Sequence, residues 1–112
     1  MMSWTPDMKK NGYLEPPVLN TSDEECYICG FGGDLAVHEI YYGRKNRGMS
    51  KRHGCYVWLC PSCHRLIHEK PDNGRTDRRL KRECQQAVIE KLNSENHDGR
   101  KIFMAWFGRY YD

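Results

Sequence analysis

Two Cys-x-x-Cys pairs constrain what this chain can fold into more than any other feature of it. Cys26 and Cys29 stand in CYICG and Cys60 and Cys63 in LCPSCH, with thirty residues between the pairs. Two intervening residues make a knuckle that turns both sulfurs onto one ion at about 2.3 Å, so the four cysteines read as a structural Zn²⁺ site. The chain needs such a brace. Its 112 residues are only 38% apolar with a mean hydropathy of -0.88, and a core drawn from them is thin. The opening MMSWTPDMKK lacks the apolar stretch of a secretory signal, and no apolar run approaches the about 18 residues of a membrane span. The expectation is a cytoplasmic, reducing setting without a membrane, where clustered thiols hold metal rather than pair as disulfides.

Net charge is +3, which alone hardly points to nucleic acid, but the charge is unevenly placed. Residues 1–39 carry two bases against seven acids, residues 40–83 twelve against four, and residues 84–112 four of each. The middle third is cationic, as befits a surface that meets phosphate.

Residues 1–25 hold Pro6, Pro16, Pro17 and the acidic TSDEE without sustained periodicity, and are expected to be an extended or disordered arm. Residues 26–70 are expected to form the core. In it, DLAVHEIYY and CYVWL are β-favouring runs, GRKNRGMSKRHG reads as a loop, and PSCHRLIHEK reads as a short helix with Pro61 in its first turn. Residues 71–112 are expected to be a helical extension packing on the core. TDRRLKRECQQAVIEKLN spaces Leu80, Cys84, Val88 and Leu92 helically behind Thr76 as N-cap, and GRKIFMAWFGRYY is a shorter aromatic helix. The fold class is therefore small α+β.

Apart from Cys55, residues 26–68 contain eight Cys and His side chains: the four paired cysteines, His38, His53, His64 and His68. A tetrahedral structural site uses four. His64 and His68 are four apart, so on a helix they share a face, while Cys63 points about 100° away. One helix then serves a zinc on one side and a second, histidine-bound cation on the other. A Cys2His2 site of Cys26, Cys29, His64 and His68 is the competing arrangement, and it strands the second cysteine pair. His53 fits a loop or phosphate contact, and Cys55 and Cys84 fit buried small side chains.

The frame of CxxC, a strand histidine, a basic glycine-containing loop, then LCxxCH and HxxxH resembles the HNH endonucleases. VHEIYYGRKNRGMSKRHGCYVWLCPSCHRLIH is similar to the small HNH proteins of phage genomes, and KRECQQ and FGRYY extend the likeness more loosely. The resemblance implies a zinc-braced ββα-metal, treble-clef-like core with additional C-terminal helices. It implies a metal-dependent DNA endonuclease in which His64 and His68 hold one divalent cation, Mg²⁺, Mn²⁺, Ni²⁺ or Zn²⁺, against the scissile phosphate. His38 is then the general base that activates water. Many members carry two strand residues here, the first binding metal and the second acting as base; in that register His38 is a ligand and Glu39 the base. The first assignment is favoured, because a carboxylate with pKa about 4.3 accepts protons weakly. The middle asparagine of HNH has no counterpart in HGCYVW; Asn46 lies farther upstream.

Arg44, Lys45, Arg47, Lys51 and Arg52 beside this site, with Arg65 on the helix, form the expected phosphate-binding surface for duplex DNA with little sequence preference. The second basic group, Arg75, Arg78, Arg79, Lys81 and Arg82, extends that surface or simply solvates a helix. The alternative function is a zinc-stabilised nucleic-acid-binding module without catalysis.

Overall fold

The β-favouring runs pair as an antiparallel ribbon: β1 (Ala36–Glu39) lies against β2 (Tyr56–Leu59), with Ala36 opposite Leu59 and Glu39 opposite Tyr56. The computed structural model describes residues 4–112. Two strands alone are marginal in water, so the ribbon depends on what covers it. All four residues of β2 are buried. Val57 and Leu59 join a core with Ile40, Tyr41, Ile67, Leu80, Val88 and Phe103, whereas Tyr56 and Trp58 face the segment that precedes Cys26.

Between the strands, the stretch expected as a loop contains a helix, α2 (Asn46–Arg52). Its basic residues and Gly48 weigh against helix, but one side chain anchors it. Ser50 is fully buried, its hydroxyl donating to the Tyr41 carbonyl at 2.7 Å and accepting from the Tyr41 N–H at 3.1 Å. A buried hydroxyl satisfied in both directions ties α2 to the end of β1.

α3 (Pro61–Glu69) starts at Cys60, whose sulfur accepts from the Cys63 N–H at 3.5 Å, and stops at Lys70, which turns left-handed with φ of 54°. After it, α4 (Arg75–Ser94) buries Leu80, Cys84, Val88 and Leu92 along one stripe. Thr76 is not its N-cap. Gly74 occupies that place, and the Asp72 carboxylate accepts from the N–H groups of Gly74 and Thr76 and from the Thr76 hydroxyl. The reason is reach: Asp72, two residues upstream of Gly74, meets the free N–H groups that a side chain inside the first turn cannot. α5 (Gly99–Phe107) is capped by Asp98 and packs Phe103 and Phe107 on the Tyr41 ring, at 5.5 and 4.4 Å between centroids.

Of the segment expected as an arm, residues 1–3 lie outside the described residues. The rest carries a short helix, α1 (Pro6–Lys10), then runs along the core. The Val18 N–H donates to the Gly54 carbonyl at 2.9 Å, the Tyr56 hydroxyl to the Glu15 carbonyl at 2.8 Å, and the Trp58 N–H to the Thr21 hydroxyl at 3.1 Å. With these ties the radius of gyration is 13.6 Å, near the about 13 Å of a compact domain this long.

Candidate metal centres

The two knuckles meet across the start of α3. In the first, the Cys26 N–H donates to the Phe31 carbonyl and the Gly30 N–H to the Cys26 carbonyl, closing a tight turn around Cys29. In the second, Cys60 ends β2 and Cys63 sits in the first turn of α3. All four sulfurs lie within 4.8 Å of one another, and those of Cys29 and Cys60 are 3.7 Å apart. A tetrahedron with 2.3 Å metal–sulfur bonds has edges of about 3.8 Å, so the cluster has the size of a tetrahedral thiolate site. Its electrostatics agree. Burial pushes the Cys26 thiol up, but the N–H groups of Cys29, Cys60 and Ile28 outweigh it and bring it down to about 6. Burial and the surrounding sulfurs push Cys63 up. The first thiolate thus forms readily and further ones repel it, a penalty that a bound dication removes. Cys26, Cys29, Cys60 and Cys63 are positioned to hold one metal ion.

Cys63 is buried toward this cluster, and the next residue of α3 begins the second one. His64, His68 and His38 of β1 converge, with ring centroids 5.2 Å apart for His38–His64, 5.4 Å for His38–His68 and 4.8 Å for His64–His68. A nitrogen of each lies within 4.8 Å of a nitrogen of the others. His38 is only 3% exposed, and its Nε2 has no hydrogen-bond partner among the described residues. Burial first, then the neighbouring imidazoles, hold its pKa down to about 3. A neutral ring beside two more imidazoles is a donor set that could hold a transition-metal ion.

The three histidines line an open cleft of about 240 Å³ together with Glu39, Tyr42 and Arg47. Glu39 follows His38 on β1, and its side chain is 13% exposed. One oxygen accepts from the Tyr13 hydroxyl at 2.6 Å and the other is 3.5 Å from Arg47 Nε. Tyr42 places its ring 5.3 Å from that of His68 and donates its hydroxyl to Asp77 Oδ2 at 2.8 Å. Neither Tyr13 nor Asp77 figures in the sequence reading. Asp77 sits on the expected α4, but nothing local marks which helix acid turns inward.

Of the described basic residues only Arg47 lines the cleft, keeping most of its side chain in solvent while pairing with Glu39; Arg44, Lys45 and Arg52 are exposed. Lys51 lies over the Tyr13 ring at 5.1 Å. Arg65 projects from α3 and pairs with Glu69 rather than with the cleft. Asn46, at the start of α2, has no hydrogen bond to either centre among those of the described residues. His53 turns away from both centres to stack on Trp106 of α5, centroids 3.6 Å apart and planes 7° from parallel. No family model, curated protein or solved structure matches this chain.

Proposed function

We propose that this chain is a metal-dependent DNA endonuclease of the HNH type, braced by zinc in the four-cysteine cluster. The observation that carries the reading is the convergence of His38, His64 and His68, a nitrogen of each within 4.8 Å of the others, in a cleft that also holds a carboxylate and an arginine. The chain order β1, α2, β2, α3 matches a ββα-metal, treble-clef-like core, with cysteines at the positions where a zinc braces it. Of the two registers, the geometry favours His38 as the third ligand, because one of its nitrogens lies within 4.8 Å of nitrogens of both helix histidines. That leaves Glu39 as the proton acceptor. His38, His64 and His68 would hold one divalent cation, which when bound would supply positive charge against the scissile phosphate and lower the pKa of a bound water. Glu39 takes the proton at the oxygen that faces Arg47, and Arg47 with the exposed Arg44, Lys45 and Arg52 holds the duplex by its phosphates. Imidazole ligands suit Mn²⁺, Ni²⁺ or Zn²⁺ better than Mg²⁺.

The test is cleavage of supercoiled plasmid by zinc-braced protein given each of the four cations. The wild type is expected to cut with at least one. His38→Ala is expected to lose both cutting and Ni²⁺ binding at the cleft, and Glu39→Gln to keep Ni²⁺ and lose cutting by about a hundredfold or more. A protein that binds DNA but leaves plasmid intact with every cation is the non-catalytic module instead.

A further inference from the structure

Among the described residues, the segment before Cys26 touches a side chain of the cleft through Tyr13, which hydrogen-bonds Glu39. We propose that Tyr13 is a positioning residue for the Glu39 carboxylate, so that the N-terminal segment is a working part of the site. The proposal rests on the nuclease reading, in which Glu39 accepts the proton.

Glu39 needs positioning. It neighbours His38 on β1, and successive strand side chains leave opposite faces of a sheet. His38 points at α3, so a carboxylate one residue on reaches the same cleft only if something holds it around the strand end. Two groups do so, one per oxygen: the Tyr13 hydroxyl on Oε2 at 2.6 Å and the Arg47 guanidinium 3.5 Å from Oε1. Arg47 keeps 61% of its side chain in solvent and is free to meet phosphate, so the firm hold comes from Tyr13.

Tyr13 is itself held on several sides. Trp4 Nε1 donates to its carbonyl at 2.8 Å, its ring packs edge-on to Tyr56 at 4.9 Å, and Lys51 lies over its face. Lys51 Nζ also reaches the Asn11 carbonyl at 3.4 Å, and the Tyr56 hydroxyl pins the Glu15 carbonyl. The phenol is thus delivered by a tethered loop. Burial and the adjacent carboxylate raise its pKa above the ordinary tyrosine value, so it stays a donor wherever the protein is folded. With Oε2 occupied, the carboxylate is left with Oε1, the oxygen beside Arg47, to receive a proton in the cleft that Glu39 helps to line. An acceptor with one oxygen pinned spends less of its time misdirected, which is where a positioned base gains over a mobile one.

The experiment is plasmid cleavage kinetics on the full chain with its zinc, using Ni²⁺ or Mn²⁺ at the cleft. Tyr13→Phe keeps the ring and removes the hydroxyl. It is expected to lower kcat about tenfold or more while KM for DNA and the affinity for Ni²⁺ hold at wild-type values. Tyr56→Phe removes a tie of the same segment without touching Glu39, and its kcat is expected to stay at the wild-type level. Adding Tyr13→Phe to Glu39→Gln is expected to cost nothing more, because the phenol acts through that carboxylate. A fully active Tyr13→Phe, an equal loss in Tyr56→Phe, or additive losses with Glu39→Gln each overturn the role given to Tyr13. An inactive wild type with every cation overturns the nuclease reading first, and this role with it.

Discussion

A histidine in this protein has three quite different fates, and burial decides among them. His38 is buried with a bare nitrogen, His64 stands half-exposed and His68 exposed beside it, and His53 lies flat on Trp106. Sequence spacing makes His64 and His68 legible, because a chelating pair four residues apart on a helix is a local pattern, as are the two cysteine knuckles. It does not tell whether His38 binds or accepts protons, since that depends on how β1 lies against α3. Nor does it reveal Tyr13, which meets Glu39 across twenty-six positions. His53 carries a prediction of its own. Burial holds its pKa below the ordinary 6.5, Arg52 and Lys91 add to the depression, and Glu15 opposes it. The unfolded chain therefore takes up a proton near pH 6.5 that the folded protein refuses. Stability is full above that pH and declines as pH falls from there toward the depressed folded value. His53→Phe keeps the stack on Trp106 and removes the titration, so its melting temperature is expected to fall less than that of the wild type between pH 7.5 and 5.5. Equal falls in the two proteins would assign the proton uptake to other groups.

Helices were the easier elements to foresee and their ends the harder. α4 follows from its apolar spacing and α3 from Pro61 in its first turn, whereas the aromatic helix expected over GRKIFMAWFGRYY stops at Phe107, where Gly108 turns left-handed. α2 escaped because its stability is tertiary: Ser50 satisfied on Tyr41, and Trp106 of α5 stacked over the residue that ends it. No window of GRKNRGMSKRHG records either contact. Just past α2, Gly54 shows how one backbone position couples elements. It has φ of 76°, its carbonyl accepts from Val18, and a Cβ there would run into the Pro16 carbonyl. Gly54→Ala is expected to destabilise the fold by about 1–2 kcal/mol from the backbone alone, and by more as the N-terminal segment lifts. Denaturant unfolding measures the first effect. Faster proteolysis within residues 4–21, with the rest of the chain intact, reports the second. A variant as stable and as protected as the wild type would mean that the segment does not dock through this contact.

Two candidate ion sites meet at α3, one of cysteines and one of histidines, and they join different parts of the molecule. The four cysteines join residues from before β1 to residues after β2 and so close the core, whereas the histidines face an open cleft and join only β1 to α3. The ribbon has two strands, and the apolar residues around it are few, so the closing bond falls to the thiolate site. Structural zinc at such sites contributes on the order of 10 kcal/mol to folding, comparable to the entire stability of a small domain. The two sites are therefore expected to respond oppositely to removal. A chelator strong enough to empty the thiolate site, or Cys29→Ser together with Cys60→Ser, is expected to abolish the cooperative thermal transition followed by circular dichroism, and returning Zn²⁺ to the chelated protein is expected to restore it. His64→Ala with His68→Ala is expected to leave that transition within a few degrees of the wild type, because one of the two rings is exposed and the other half-exposed, and neither belongs to the core. A cooperative transition that survives complete zinc removal would place the stability in the aromatic cluster of Tyr41, Phe103 and Phe107 instead. The cysteines would then be free to serve chemistry rather than structure.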